Sequence, residues 1–431
     1  MKFRLLALVL LIAVGVLVAM SAIQADANVE KQYQTHLSTA RYYVEKQIPY
    51  NACGSYKKAF AIHCEDEAIF QEYLNQAQLL GRDLYEKAIS EYIENFPTSA
   101  KANELHCQVL YERGSYKKLI EAALKARDLG VATEQVKNWY LECSYMTSYL
   151  SGSYQEAQSF LGGTARVKLK DAYGYVSTGG KLILPAKYLD ASLMYNGSAA
   201  VNDGEEWHMI NAAGYKVART SEPVDFLSAR ITGQITVAKD GKYGFTDASL
   251  KIPEELPYDY ASLFKGGVAA VKKGDSWALI NTEMKNVTEF IFEDVLLNEY
   301  GACCNGGVIF VKKDGKYYMV NPQGARITDQ AFDAAQPFVG SQPAAVCIDG
   351  LWGFVDTTGN MVIKPEFEAA RSFSLNLAGV CKEGKWGFIG TSGELRIDYE
   401  YDDCKYFTSA GIAAVKVNDN WRYIQLITYR Q

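Results

Sequence analysis

Histidine, the side chain most often used for acid–base and nucleophilic catalysis, is scarce in this chain. The 431 residues contain four of them, His36, His63, His106 and His208. Three fall in the N-terminal third, where the pattern predicts helices. His208 stands alone in a region of β-strand pattern, so a Ser/His/Asp or Cys/His triad could be built there only around this residue. We therefore expect no nucleophilic hydrolysis and predict that the protein is not an enzyme.

Two His-Cys dipeptides, His63-Cys64 and His106-Cys107, could supply zinc ligands, because zinc takes imidazole and thiolate groups in tetrahedral sites. Adjacent residues of a helix point in different directions, however, and the C-x₂-C spacing is absent. The sequence thus disfavours a metal. Cys107 and Cys143 lie 36 residues apart and could face each other on neighbouring helices, so disulfides and separate packed thiols both stay open.

The other cysteines and the glycines indicate structure more than chemistry. A bond between the adjacent Cys303 and Cys304 would be strained. Cys347, Cys381 and Cys404 sit among apolar strand residues and are predicted to be small buried side chains. No glycine-rich phosphate loop is present, so we expect no cofactor.

One aromatic residue recurs at a nearly constant interval through the second part of the chain. Successive members are separated by 34, 36, 34, 40, 35, 34 and 35 residues. This regularity is typical of a repeat architecture. The eight aromatic anchors are predicted to be structural, each burying most of its ring between adjacent sheets: Tyr173, Trp207, Tyr243, Trp277, Tyr317, Trp352, Trp386 and Trp421.

Each unit contains three or four short strands separated by turns. An apolar strand ends at an Asp-Gly turn, such as Asp349-Gly350, and such dipeptides suit two-residue hairpins. The anchor and an alternating strand follow, and then a second turn. A polar residue stands four positions after five of the anchors and is expected to close this second turn by bonding to backbone N–H groups, although a ring of such groups could also bind a cation or a sugar: Asn211, Asp247, Asn281, Asn321 and Asp356.

The unit resembles the WG-containing repeat, a bacterial β-repeat family, over Gly163 to about Ile427. The resemblance is specific at Trp352-Gly353 and Trp386-Gly387 and good at Tyr173-Gly174 and Tyr243-Gly244. Glycine is replaced after the other four anchors, by His208, Ala278, Tyr318 and Arg422. The resemblance implies a propeller-like or solenoidal all-β body and no particular activity.

The end of the chain bears on the choice between propeller and solenoid. The last unit stops after two strands, which suits a closed ring in which early and late strands share a blade, whereas a solenoid would favour a dedicated cap. We therefore predict a propeller of seven or eight blades in residues 163–431, with the domain boundary at the composition shift around Gly162-Gly163.

Residues 28–162 have a helical pattern punctuated by small residues. The tripeptide Gly-Ser-Tyr occurs at Gly54, Gly114 and Gly152, and Gly81 stands in a similar place. Glycine in a turn lets two helices approach closely. The segment resembles a degenerate array of tetratricopeptide helix-turn-helix repeats, with a plain helical bundle as the alternative.

The N-terminal residues 1–27 contain an uncharged run from Leu5 to Ala25 behind Lys2 and Arg4. Its length suits a helix that crosses a bilayer with the rest of the chain outside the cytoplasm. A cleaved signal peptide is the main alternative, followed by a buried helix.

The net charge of −6 disfavours nucleic acid as a partner. Together these features predict a multidomain, non-enzymatic, membrane-anchored binding scaffold outside the cytoplasm, whose partner is a protein or peptide such as a cell-envelope component. The alternative is a carbohydrate-binding module or an enzyme that uses the central face of the propeller. The sequence does not identify the ligand.

Overall fold

The protein is described by a computed structural model that covers residue 24 and residues 26–429. The chain forms two compact units that divide between Ser144 and Tyr145. Apart from Gln24, the predicted membrane anchor Leu5–Ala25 lies outside the described residues. Within the described part of the chain, no helix is both long and apolar enough to cross a bilayer.

The N-terminal unit is helical, as predicted. Two of its helices begin with side-chain caps, since Asp66 accepts hydrogen bonds from two amides of the first turn and Ser99 accepts one. Each of α3 to α7 packs on the helix before it, and α5 also packs on α7. The described helices are α1 (26–45), α2 (Pro49–Phe60), α3 (Glu67–Leu79), α4 (Arg82–Asn95), α5 (Ala100–Glu112), α6 (Tyr116–Asp128) and α7 (Glu134–Ser144).

The glycines predicted to mark helix turns divide into two groups. Gly81 and Gly114 lie between helices with φ values of 107° and 65°, which glycine adopts readily. Gly54 instead lies inside α2, so its assignment to a turn was wrong, and the helix begins at Pro49, which is favourable in a first turn. Gly152 belongs to the β-unit.

All nine cysteines are free thiols. Eight are buried and Cys64 is half-buried, so the structure shows separate packed thiols and not disulfides. In the described residues, no group of three or more His, Cys, Asp or Glu side chains is placed to share a metal ion.

Residues 145–429 form eight small antiparallel sheets, which are the blades of a β-propeller. Blade 1 contains β2 (Glu156–Ala157), β3 (Thr164–Leu169), β4 (Ala172–Ser177) and β5 (Leu182–Tyr188); blade 2 contains β6 (Asp190–Ala191), β7 (Ser198–Asn202), β8 (Trp207–Asn211) and β9 (Lys216–Arg219). Blade 3 contains β10 (Phe226–Leu227), β11 (Ile235–Lys239) and β12 (Lys242–Thr246); blade 4 contains β13 (Tyr260–Ala261), β14 (Val268–Lys273) and β15 (Ser276–Asn281).

The second half of the ring has the same strand order. Blade 5 contains β16 (Asp294–Val295), β17 (Ile309–Lys313) and β18 (Lys316–Val320); blade 6 contains β19 (Ala334–Ala335), β20 (Ala344–Ile348), β21 (Leu351–Val355) and β22 (Met361–Phe367). Blade 7 contains β23 (Ala369–Ala370), β24 (Ala378–Lys382), β25 (Lys385–Ile389) and β26 (Leu395–Tyr401); blade 8 contains β1 (Thr147–Tyr149), β27 (Asp403–Cys404), β28 (Ile412–Val417) and β29 (Asn420–Leu426), before a short 3₁₀ turn (Ile427–Tyr429).

Blade 8 closes the ring with strands from both ends of the unit. β1 pairs antiparallel with β29, with Thr147 opposite Leu426. The prediction that early and late strands share a blade is therefore confirmed, and the ring has eight blades. The unit consequently begins at Tyr145 and not at the composition shift near Gly162-Gly163, because the strand that closes it precedes that shift.

The aromatic anchors all occupy equivalent positions, in the third strand of blades 1 to 7 and in β29 of blade 8. Trp207 and Trp386 are buried, and the other six are half-buried. Some anchors contact the next blade: the ring centroids of Trp207 and Phe226 are 5.6 Å apart, and those of Tyr243 and Tyr260 are 5.0 Å apart.

The polar residue four positions after the anchor closes its own turn, as expected. In blade 5, for example, Oδ1 of Asn321 accepts hydrogen bonds from the amides of Gln323 and Ala325, both at 3.0 Å. The same arrangement recurs at Asn211, Asn281 and Asp356, and Asp247 accepts from the amide and the hydroxyl of Ser249. These side chains are thus committed to turns.

Candidate functional site in the propeller channel

One position on the inner side of every blade can be compared around the whole ring. It is the residue directly after the first strand, and its backbone N–H donates in every blade to a carbonyl of the second strand. The eight residues at this position, in blade order, are Gln158, Ser192, Ser228, Ser262, Leu296, Gln336, Arg371 and Lys405.

Serine has a structural role at this position. In blades 2, 3 and 4 its Oγ accepts a hydrogen bond from an amide of the second strand, at 2.9, 2.9 and 2.8 Å. Blades 6, 7, 8 and 1 carry a long polar side chain there instead. One side of the channel therefore departs from the repeat, which indicates a role other than holding the blade together.

A long loop of blade 5 crosses the channel. It runs from Leu296 to Val308 between β16 and β17, whereas the corresponding loop of blade 4 runs only from Ser262 to Gly267. Blade 5 is opposite blade 1 in a ring of eight, yet the backbone carbonyl of Glu299 accepts from the Gln158 side chain at 3.2 Å. The loop thus spans the centre of the propeller.

The Glu299 carboxylate is held by groups from the opposite side of the ring. Its Oε2 atom lies 2.8 Å from Nζ of Lys405 and accepts from the amide of Ser159 at 3.2 Å. Burial alone would raise the pKa of Glu299, but the charge of Lys405 and the hydrogen bonds from Lys405, Ser159 and Tyr406 together outweigh this effect and hold the pKa below its usual value. Glu299 is therefore ionised at neutral pH.

Tyrosines reinforce this crossing. Tyr300 donates a hydrogen bond to the carbonyl of Ser159 at 3.1 Å, and Tyr406 donates to the Tyr300 hydroxyl at 3.3 Å. Tyr423 donates to the carbonyl of Gln158 at 2.6 Å. Burial raises the pKa of all three tyrosines, so they stay protonated and act as donors.

Above the crossing lies a cavity of about 560 Å³, which we call the channel cavity. A second cavity of about 70 Å³ shares Glu299 and Lys405 with it, so this ion pair separates the two. Six blades contribute to the channel cavity, and its lining includes Phe160, Lys265, Asn298, Glu299, Tyr300, Asn305, Gln336, Phe338, Arg371, Ser374, Asp403, Lys405, Tyr406 and Trp421.

The charged groups of the channel cavity are mostly paired but retain bonding capacity. Arg371 donates from Nη2 to Asp403 at 2.9 Å and from Nε to the carbonyl of Cys404 at 3.2 Å. Oε1 of Glu299 is buried and accepts no hydrogen bond within the described residues. The cavity therefore combines hydrogen-bond donors, a carboxylate and half-buried aromatic rings.

The sequence prediction located the repeat but missed this site. Among the eight anchors, Trp421 lines the channel cavity. His208 is buried in β8, with Nδ1 3.6 Å from the carboxylate of Asp203, and does not line the channel cavity. One signal for the site was available, because the interval of 40 residues between Trp277 and Tyr317 contains the inserted loop.

The fold and this site define the class: an eight-bladed β-propeller repeat protein with a loop across its channel. The model of the WG containing repeat matches residues 173–207, 258–277, 277–317, 352–386 and 386–421. The propeller unit therefore belongs to the WG-containing repeat family, which confirms the resemblance found in the sequence.

No curated protein matches the chain. Solved structures with detectable similarity include the crystal structure of the eukaryotic initiation factor, at 12% identity over 65% of this chain and 88% of that chain with a TM-score of 0.40. Another is the AfRom2 CNH domain, at 9% identity over 65% and 98% with a TM-score of 0.33. A third is Kluyvelomyces marxianus Hsv2, at 11% identity over 62% of this chain and 89% of that chain with a TM-score of 0.30. Similarity at this level carries no information about function.

Proposed function

We propose that this protein is a non-enzymatic binding protein that holds a small polar ligand in the channel cavity of its propeller. The observation that carries the proposal is the loop of blade 5, which closes the channel through Glu299 and Lys405 and leaves a cavity instead of an open pore. The volume of about 560 Å³ is in the range of small-molecule sites.

The composition of the lining supports binding over catalysis. The residues that line the channel cavity include no histidine and no cysteine. Its two carboxylates, Glu299 and Asp403, are each paired with a cation. General acid–base catalysis needs a group that can exchange a proton near neutral pH, and Glu299, whose pKa lies below its usual value, does this poorly.

A cavity-filling variant tests this proposal. Ser374 lines the channel cavity, and Ser374→Trp should fill much of it, while Lys285→Trp at an exposed turn of blade 4 is a matched control. Wild type and control should both be stabilised by the same compounds in a thermal-shift screen of sugars, organic acids and short peptides. The Ser374→Trp variant should fold but lose every such shift. Shifts that persist in it would place the binding site elsewhere.

We also propose that the N-terminal run anchors the protein to a membrane, with both units outside the cytoplasm. The support is the uncharged Leu5–Ala25 run behind Lys2 and Arg4. Carbonate extraction of membranes should leave the protein in the pellet. A soluble mature form beginning near Ala22 or Asn28 would instead indicate a cleaved signal peptide.

The helical unit is proposed to bind a peptide segment of a partner protein. A groove of about 370 Å³ between α3, α4 and α5 supports this, with Arg82 and Glu86 in its lining. Cross-linking from a photoreactive residue at Gln108, which also lines the groove, should capture such a partner, and the same group at exposed Lys118 of α6 should not. Equal capture at both positions would contradict a groove-specific interaction.

A further inference from the structure

We infer that the ligand of the channel cavity is a neutral carbohydrate unit, an inference that rests on the function proposed above. The first argument is charge. The carboxylates of Glu299 and Asp403 already have cationic partners, Lys405 and Arg371, at 2.8 and 2.9 Å. Lys265, the remaining cation of the lining, donates to Oδ1 of Asn305 at 2.7 Å, and burial lowers its pKa. At the four other charges a charged ligand would have to compete with an existing pair, whereas a neutral ligand leaves both pairs intact.

The second argument is the unused hydrogen-bond capacity around the ion pair. Oε1 of Glu299 is a buried, ionised oxygen with no donor among the described residues, and such an atom is costly unless a ligand or water supplies one. Hydroxyls of Tyr300 and Tyr406 lie near this carboxylate. Tyr300 donates to the carbonyl of Ser159 and Tyr406 donates to the Tyr300 hydroxyl, while the Tyr406 hydroxyl also lies close enough to the Glu299 carboxylate to lower its pKa.

Donors lie beside this acceptor. Lys405 uses one hydrogen bond, to Glu299, and an ammonium group has three donors. Arg371 uses Nε and Nη2, and no hydrogen bond is formed by its Nη1 within the described residues. A hydroxyl group both donates and accepts, so a polyhydroxylated ligand can bridge the carboxylate and the neighbouring cations.

The third argument is a row of polar side chains along one side of the ring, which we call the polar arc. Gln336, Arg371 and Lys405 occupy equivalent positions in three consecutive blades, where other blades have a structural serine. No hydrogen bond of the Gln336 side chain is formed within the described residues, so its amide is free to donate and accept. The half-buried rings of Tyr300, Tyr406 and Trp421 line the same cavity and offer apolar surface of the kind that the C–H face of a sugar requires.

The test uses the full-length protein on an array of neutral, acidic and amino sugars with short acetylated peptides, followed by calorimetry with the neutral oligosaccharide that binds best. Gln336→Leu removes one amide of the arc without breaking a hydrogen bond of the fold, and we expect its dissociation constant to rise about tenfold. The matched control is Gln323→Leu, at an exposed turn of blade 5, which should bind like wild type.

A second variant tests the same site at a different residue. Glu299→Gln should weaken neutral-sugar binding at least as strongly, and a circular dichroism spectrum like that of wild type shows whether it is folded. Acidic sugars or peptides that bind better than neutral sugars, and that lose binding in Ser374→Trp and Gln336→Leu, would overturn the carbohydrate inference but leave the proposed function standing. The absence of binding to any neutral sugar on the array would also overturn the carbohydrate inference. The proposed function is then tested separately by the wider thermal-shift screen.

Discussion

At the scale of single residues, the glycine that follows an anchor has a steric cause. In blades 6 and 7 the outermost strand bulges over this glycine, so the register shifts next to Trp352 and Trp386. A Cβ atom on Gly353 or Gly387 would lie 2.6 Å from a backbone carbonyl oxygen of that strand. Blades 4 and 5 have Ala278 and Tyr318 at this position and lack the fourth strand. The correlation is not general, because blade 3 has Gly244 and lacks a fourth strand, whereas blade 2 has His208 and contains one. In blades 6 and 7 the glycine therefore admits the bulge of the outer strand.

This account predicts the effect of adding one methyl group. Gly387→Ala should lower the free energy of unfolding by about 1–3 kcal/mol, because the carbonyl of Ile397 must move to admit it. Gly233→Ala is the control: no atom lies within 4 Å of its added Cβ and the substitution should be neutral or slightly stabilising. Urea denaturation measures both, and equal effects would contradict the steric explanation.

The anchor itself gives a second prediction. Trp386 is 9% exposed, and the guanidinium of Arg371 lies 4.9 Å from its ring centroid. Trp386→Ala should cost about 3–5 kcal/mol, as large aromatic truncations in cores do. Leu395→Ala, at an exposed position of the same blade, should cost much less. A Trp386→Ala protein that melts like wild type but loses a bound glycan would make the anchor a binding residue.

At this scale, the role of a residue could be predicted from the sequence where it depends on neighbours within the same repeat unit. The turn-closing role of Asn321 could be predicted because its environment is local in the chain. Glu299 and Lys405 could not, because their partnership depends on which blades face each other across the ring. Gly54 was misassigned because the Gly-Ser-Tyr tripeptide is compatible with a helix interior as well as with a turn.

At the scale of the blade, an aspartate side chain links a blade to the preceding blade at several places in the ring. Asp333 at the start of blade 6 accepts from the amide of Asp349 at 2.8 Å and pairs with Lys316 of blade 5. Asp259 and Asp402 form the same link, with Lys242 and Lys385 respectively. The hydrogen bond from the lysine holds the pKa of each of these carboxyls below its usual value.

A pH dependence follows from these links. A carboxyl whose pKa is lower in the folded than in the unfolded state contributes stability above the unfolded value of about 3.9, and this contribution is lost as the pH falls through the folded pKa. Asp333→Asn should therefore lower the urea midpoint at pH 7 and lower it less at pH 3. Exposed Asp275, which has no ion pair within the described residues, gives the control Asp275→Asn, whose midpoint should follow wild type at both pH values. If the urea midpoint of Asp333→Asn differed from that of wild type by the same amount at pH 7 and pH 3, the charge of the Asp333 carboxylate would not contribute to stability.

The crossing loop of blade 5 gives the second prediction at this scale. Lys405→Met leaves the ionised Glu299 without its partner inside the channel, which should cost about 3–5 kcal/mol. The double variant Glu299→Gln with Lys405→Met removes both charges and should recover much of this loss. Urea denaturation of the two variants at pH 7 measures the difference. Equal stability of the single and double variants would mean that the ion pair does not hold the loop across the channel.

At the scale of the whole molecule, the closure of the ring was predicted from the sequence and the number of blades was narrowed to seven or eight, but the start of the propeller was not predicted. The incomplete last unit predicted a shared blade, and the pairing of β1 with β29 confirms it. The segment before Gly162 has weak β-character because β1 and β2 are only three and two residues long. Its assignment to the ring depends on Tyr154, which forms a β-bridge with Trp421 and packs against the tilted ring of Tyr423. Both partners lie far away in the chain.

This start of the ring gives the last prediction. A fragment of residues 145–431 contains β1 and should fold alone, with a β-type circular dichroism spectrum and one cooperative melt, because it forms a compact unit with its own core. A fragment of residues 163–431 lacks β1, β2 and Tyr154, so β29 has an exposed edge and the core around Tyr423 is incomplete. The shorter fragment should melt at a clearly lower temperature or aggregate. Adding a peptide of residues 145–162 in excess should raise its melting temperature, since the missing strand can pair from solution. If the two fragments melted alike, β1 would not be the strand that closes the ring.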